Sequence, residues 1–314
     1  MRKSEKRVVR IDGHAITLTS EEEILFPKAG FTKGDLIEYY TQVAPYILPY
    51  LKNRPVTLHR FPEGVGKDGF YQKQISSYFP SWIKRTLIKN RTEGATQYVV
   101  CNDVASLIYL TNQRTITYHP WLSTISKKNY PDRMIFDLDP SPGVSFASIR
   151  FLAEKMKEFL NSLGFPTYAM LTGSRGVHVV VPLKPTHTYE RVHACAHDIA
   201  EYMSMVYPEK ATIQVRKNKR GKRIFVDYLR NTYGATAVAP YSVRANEKAG
   251  VATPVHWEEL FKSTSNPQQY TMKNILKRLS HVKDPWQDMQ KSAVTITQAH
   301  KKVRELLEDT QLTL

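Results

Sequence analysis

Apolar positions along the chain recur with either a helical or a strand period, and the two kinds of segment alternate. Thr32 can cap a helix from Lys33 to Pro49, in which Leu36, Tyr39, Tyr40, Val43 and Ile47 form one apolar stripe. Residues 103–112 predict a shorter helix through Val104, Leu107, Ile108 and Leu110. Two further helices are predicted, Ser145 to Leu163, closed by Gly164 and Pro166, and Tyr189 to Val206. Strands are predicted at Val56–Phe61, around Met134–Phe136 with a stop at Pro140, and at Thr167–Leu171, Val177–Val181 and Ile224–Leu229. Ile11 to Leu18 reads as a short strand or hairpin turning at Asp12-Gly13. After Pro254 the pattern is mostly helical and polar. The chain is mixed α and β, and several strand connections are short, which favours antiparallel hairpins. There is no internal repeat and no composition break that forces a boundary. The expected organisation is a basic leader with a strand or hairpin over 1–19, one domain over 20–290 and a C-terminal helix over 291–314.

Charge changes this picture more than composition does. The 314 residues are 41% hydrophobic and 24% charged, ordinary for a globular protein, but the formal net charge is +16. An excess of that size favours a polyanionic partner, nucleic acid first and an anionic membrane surface second. No apolar run approaches the roughly 20 residues of a spanning helix, so no membrane association is expected. The basic N-terminus has no apolar stretch behind it, which points to the cytoplasm. Cys101 and Cys195 lie in apolar contexts and read as buried structural thiols.

Three segments carry candidate chemistry. In Arg133-Met-Ile-Phe-Asp137-Leu-Asp139-Pro140 an apolar strand closes on two aspartates two residues apart. Residues at that spacing project from one face of a strand. Carboxylates held that close repel unless a cation lies between them, and oxygen ligands suit magnesium or manganese. The plainer reading is a turn after a core strand. Second, Thr172-Gly-Ser174-Arg175-Gly-Val-His178 bends at two glycines and gathers hydroxyls, backbone N–H groups and a guanidinium, which together suit a phosphate chain. A bare hairpin is the competing account. Third, Arg223-Ile-Phe-Val-Asp227-Tyr-Leu-Arg230 is another apolar strand ending in an aspartate. It follows a run, Arg216 to Arg223, in which six of eight residues are basic. Such runs are usually solvated turns. Here it leads directly into a candidate metal ligand.

Three strand-borne carboxylates beside a hydroxyl–arginine–histidine turn point to two-metal nucleotidyl transfer. A rival is a haloacid-dehalogenase-type phosphatase with Asp137 as nucleophile and Thr172 in its second motif. That family needs a later acidic pair, and only Asp227 stands in such a position.

At these residues the sequence resembles the polymerase domain of bacterial and archaeal DNA ligase D, in the archaeo-eukaryotic primase superfamily. The family's Asp-x-Asp, Ser/Thr-Gly-x-Lys/Arg-Gly-x-His turn and third strand-end Asp correspond to Asp137 and Asp139, Thr172 to His178, and Asp227. Lys52-Asn-Arg54-Pro55 through Arg60-Phe-Pro, Gly69-Phe70-Tyr-Gln-Lys73, His119-Pro-Trp121 and Tyr241-Ser-Val-Arg244 extend the resemblance over about residues 20 to 290. It implies an α+β fold with a primase-like catalytic core of two β-sheet modules flanked by helices. It implies two Mn2+ or Mg2+ ions held by Asp137, Asp139 and Asp227, with His178 also catalytic.

The resemblance further assigns nucleotide contacts to Thr172, Ser174, Arg175, His178, Arg230 and Arg244. His119 would lie near the sugar, Lys52 at a phosphate or the template, and Phe70 against a base. Lys28, Lys33 and the run Arg216, Lys217, Lys219 and Arg220 are the expected DNA contacts. The family reads a 5′-phosphate with two basic residues; Lys33 fits one position, but Glu23 stands at the other, leaving Lys28 or the leader to substitute.

The implied function is template-directed nucleotide addition at DNA ends and short gaps during non-homologous end joining. NTPs or dNTPs are the substrates, ribonucleotides are preferred, and Ku and a DNA ligase are partners in a nucleoid-associated setting. No ligase segment or lysine-adenylation motif is seen, so a stand-alone polymerase or an excised domain is expected. A non-catalytic end-binding module and a primer-making enzyme are the alternatives.

Overall fold

The computed structural model describes residues 6–89 and 94–313; the first five residues of the expected leader lie outside them. The chain forms two compact units, Met1–Trp121 with Thr236–Ala252 and Tyr270–Val282, and Leu122–Ala235 with Thr253–Gln269 and Lys283–Leu314.

The first unit opens with a hairpin of β1 (Lys6–Ile11) and β2 (His14–Thr19), turning at Asp12 and Gly13, both at positive φ. A small ribbon of β3 (Ile24–Phe26) and β4 (Phe31–Thr32) leads into α1 (Lys33–Leu51). Thr32 and Asp35 form the capping box that starts the helix. The helix runs two residues past Pro49 because the Lys52 N–H reaches the Leu48 carbonyl and closes the last turn.

A sheet follows from β5 (Val56–Arg60), β6 (Phe70–Gln72), β7 (Arg85–Lys89) and β8 (Ala95–Val99), then α2 (Val104–Asn112) and β9 (Thr115–Pro120), which pairs with β5. β7 and β8 pair antiparallel, and the sequence pattern predicts neither of them, nor β6 and β9. Tyr40 sits at the centre of this unit's core. It donates to the Ile116 carbonyl at 2.6 Å and meets the Tyr118 ring at 5.1 Å.

The second unit is built on a six-stranded sheet of β10 (Arg133–Pro140), β11 (Tyr168–Leu171), β12 (Val177–Pro182), β13 (Ala211–Thr212), β14 (Ile224–Asp227) and β15 (Thr253–Val255). The spatial order is β13-β14-β10-β12-β11-β15, antiparallel except for β13–β14. Two helices, α3 (Phe146–Ser162) and α4 (Tyr189–Val206), pack against β10. Both match the predicted limits, with Ser145 capping α3 through its hydroxyl. β14 is shorter than predicted. The Asp227 carboxylate accepts from the Leu229 N–H at 2.9 Å and turns the chain into a 3-10 turn. β15 contains Pro254 and lies at the sheet edge, where a missing N–H leaves no ladder bond unmade. The helix Thr297–Thr313 packs on α4. The fold is therefore α+β, with antiparallel pairing dominant. Among the described residues no helix is long and apolar enough to cross a membrane.

Candidate active site

The register of the second sheet decides which side chains meet. Asp137 on β10 lies directly opposite Asp227 on β14 and, on its other side, opposite His178 on β12. Directly opposed residues share a face, and so do residues two apart on one strand. Asp137, Asp139, His178 and Asp227 therefore share one face, while Met134, Phe136, Leu138, Val177, Val179 and Val226 form the buried apolar face.

Cations surround these carboxylates. Asp139 is held between two guanidiniums, Arg175 at 3.0 Å from Oδ1 and Arg220 at 3.1 Å from Oδ2. Arg230 places its Nε 3.2 Å from Asp227 Oδ2 and 3.9 Å from Asp137 Oδ2. His178 is buried, its Nε2 lies 3.5 Å from Asp137 Oδ2, and its Nδ1 has no hydrogen-bond partner. Burial raises the Asp227 carboxyl above its ordinary range, Arg230 opposes that shift, and the nearby Asp137 charge adds to it.

The turn from Thr172 to Gly176 is a built object. Thr172 Oγ1 donates to the Gly176 carbonyl at 2.9 Å and accepts from the Gly176 and Ser174 N–H groups. Its hydroxyl thus shapes the loop from inside it. Gly176 packs so closely on β10 that a Cβ there would lie 2.3 Å from the Leu138 carbonyl oxygen. Ser174 is half-buried and Arg175 exposed, so the loop presents its guanidinium outward beside Asp139.

The basic run splits in two. Arg216, Lys217 and Lys219 are exposed, but Arg220 does not stand with them as expected. It is 6% exposed, donates to the Gln214 and Val215 carbonyls at 2.9 Å each and stacks on Phe225 at 4.0 Å. Its fourth contact is Asp139, so it braces the carboxylate from within. Nothing in the run's composition separates Arg220 from its neighbours; only its place just before the Gly221 bend and β14 is a signal.

The donor set fits hard divalent cations. Three carboxylates share one face, all ligating atoms are oxygen, and burial leaves Asp227 wanting a positive neighbour. The arginines now meet that need in part.

The remaining candidates lie in the first unit. A segment that follows β14, Thr236–Ala252, returns beside β9: the Ala239 N–H donates to the Tyr118 carbonyl, and Thr117 Oγ1 donates to the Val243 carbonyl at 2.7 Å. His119 ends up nearly buried on β9, and Arg244 lies in the returning segment, one residue past Val243. His59 and Tyr71, which the sequence reading passed over, belong to the same cluster. Their rings stack at 4.0 Å, and His119 lies 5.5 Å from Tyr71 and 6.2 Å from His59. Burial, with Arg244 adding to it, lowers His59 to about 4. Phe70 is 45% exposed with the Arg60 guanidinium 5.5 Å over its ring. Lys52 is exposed, and Lys28 pairs with Glu247 on the surface.

Lys33, expected on DNA, is 1% exposed, and its ammonium donates to the Thr19 carbonyl and hydroxyl. Burial first, and then the nearby Arg114 charge, bring it down to about 8. Glu23 pairs with that Arg114.

Three carboxylates on one face with arginines at their rim suit metal-assisted chemistry on a phosphate chain. A family model described as "LigD, primase-polymerase domain" matches residues 32–286, and the chain belongs to that family. Its members are metal-dependent nucleotidyltransferases. The chain is 33% identical over 274 residues to the bifunctional non-homologous end joining protein LigD of Bacillus subtilis, covering 87% of this chain and 44% of that protein. It is 30% identical over 291 residues to the multifunctional LigD of Pseudomonas aeruginosa, covering 91% of this chain and 34% of that protein. It thus spans less than half the length of these relatives. A solved polymerase domain of Mycobacterium tuberculosis ligase D in complex with DNA superposes with a TM-score of 0.82 at 28% identity, covering 88% of this chain and 99% of that one.

Proposed function

We propose that this chain adds nucleotides to DNA ends and across short gaps under template direction, as the polymerase step of non-homologous end joining. The observation that carries this reading is the opposition of Asp137 and Asp227 across β10 and β14, with Asp139, His178, Arg175 and Arg230 on or beside the same face.

Asp137, Asp139 and Asp227 would hold two manganese or magnesium ions, which when bound supply Lewis acidity to a primer hydroxyl and a triphosphate. The protein's own groups do the positioning. Arg175 and Arg230 are the exposed guanidiniums at the carboxylates, and their forked donors suit phosphate oxygens. Arg220 fixes the orientation of Asp139, and His178 packs against Asp137. Thr172 and Gly176 hold the turn that carries Ser174 and Arg175.

In the first unit, Phe70 offers an exposed face to a base, while His119 and Arg244 take the sugar and phosphates. The net charge of +16 and the exposed Arg216, Lys217 and Lys219 support DNA as the partner. Ku and a separate or linked ligase complete the repair reaction, and ribonucleotides are the preferred substrates.

The test is extension of a labelled primer across a short 5′-phosphorylated gap with manganese and either NTPs or dNTPs, alongside Asp139→Ala. Templated addition that disappears in the variant is expected, faster with NTPs. No addition with either sugar, despite salt-sensitive DNA binding, would leave a non-catalytic end-binding protein.

A further inference from the structure

Metal-ligating side chains also converge on one turn of α4, where the His197 ring meets that of Tyr228 at 4.9 Å. His197, Asp198 and Glu201 each offer a ligand atom, and these atoms lie within 4.8 Å of one another. His197 Nδ1 is 3.3 Å from Asp198 Oδ1 and 3.8 Å from Glu201 Oε2. A four-coordinate zinc ion with bonds of about 2.0–2.1 Å has ligand-to-ligand edges of roughly 3.3–3.4 Å. The first separation, a hydrogen bond in this structure, already has that length, and the second needs only a side-chain adjustment on a helix where all three groups are partly exposed.

A second helix supports the cluster. His300, on Thr297–Thr313, places its Nε2 2.8 Å from Asp198 Oδ2, the carboxylate oxygen not facing His197. An imidazole bonded to the far oxygen of a ligating carboxylate orients that ligand and sets its basicity. His187 Nε2 on Thr297 Oγ1 at 3.1 Å ties the start of the same helix to the loop before α4.

We propose that His197, Asp198 and Glu201 form a site for a borderline divalent cation of the zinc type, with His300 as the positioning residue. The cation would fix the Asp198 carboxylate that His300 meets, and so tighten the contact of the helix Thr297–Thr313 with α4. One imidazole with two carboxylates favours zinc, cobalt or nickel over magnesium, whereas the all-oxygen set on β10 and β14 has the opposite preference. The two sites are therefore separable by metal as well as by position. This inference does not depend on the polymerase reading.

The experiment is calorimetric titration of the full chain with zinc chloride, in wild type, His197→Ala, Glu201→Gln, His300→Gln and Asp139→Ala, with magnesium chloride as comparison. One zinc equivalent is expected in wild type and in Asp139→Ala. Affinity should fall at least about tenfold in His197→Ala and Glu201→Gln, and by roughly 10–100-fold in His300→Gln, the usual range for an outer partner. Zinc should raise the melting temperature of wild type but not of Glu201→Gln. Uptake unchanged in both ligand variants, loss of uptake in Asp139→Ala alone, or no zinc bound to wild type would each overturn the proposal. Should His197→Ala fail to fold, the surface substitution Glu201→Gln and the visible absorption of cobalt bound to wild type decide it. Tetrahedral cobalt bands that persist in Asp139→Ala support the site, and their absence removes it.

Discussion

The two sheets of this protein solve different chemical problems. On the sheet of the second unit, three carboxylates and a histidine share a face with three arginines at their rim. On the sheet of the first unit, the corresponding concentration is of rings: His59, Tyr71 and His119 in mutual contact, and Phe70 exposed beneath Arg60. Charge confronts charge on one sheet, and polarizable faces are displayed on the other. A nucleotide has both needs, with phosphates that demand cations and a base and sugar that demand stacking and shape. The difference indicates that loss of a group on the charged sheet should strike turnover, and loss of a ring should strike binding.

The sharpest test of that division is Asp139→Ala. Removing the carboxylate should lower kcat for primer extension by on the order of 10³-fold or more while DNA affinity stays within a few-fold. Equal losses in both would erase the distinction.

Arg220→Ala probes the brace beneath the same carboxylate. It leaves the Gln214 and Val215 carbonyls and one side of Asp139 without their partner. Because Asp139 is partly exposed, the expected loss of stability by urea denaturation is about 2–3 kcal/mol, below the 3–5 of a fully buried pair. An unchanged midpoint would mean that the contact is not structural.

Phe70→Ala tests the ring side. Stacking on a base is worth about 1–3 kcal/mol, so nucleotide KM or DNA affinity should worsen by roughly 5–150-fold with kcat little altered. A kcat effect with unchanged binding would place Phe70 among the chemical groups.

The smallest effect concerns His59. Its folded-state value near 4 lies below the ordinary 6.5, so between those pH values the unfolded chain binds the extra proton. Stability from this residue therefore rises with pH through that window and is lost as pH falls toward 4. His59→Gln should flatten that part of the stability–pH curve. An unchanged slope would show that the imidazole is not desolvated in the folded protein.

Much of this was legible in local sequence because the signals are local. Thr32 and Ser145 cap where their side chains can reach the N–H three residues on, and both helices begin there. Apolar runs ending in aspartate mark β10 and β14, and the glycines at 173 and 176 mark the turn between β11 and β12. β15 was missed because Pro254 reads as a breaker, and only the sheet edge makes it tolerable.

The sequence by itself determined the main helices, their caps and the kinds of group at the ends of β10 and β14, since hydrogen bonds within a turn or helix need no distant partner. Tertiary structure decided which of those groups meet. Strand register set Asp137 opposite both Asp227 and His178. Folding turned Arg220 inward to Asp139 and left Lys217 in solvent, although both are basic and three residues apart. It buried Lys33 on Thr19 and brought His300 to Asp198 across a sequence separation of 102 residues. The physical reason is that a side chain's charge is written in the sequence, but its solvation and its neighbours exist only after the chain has packed.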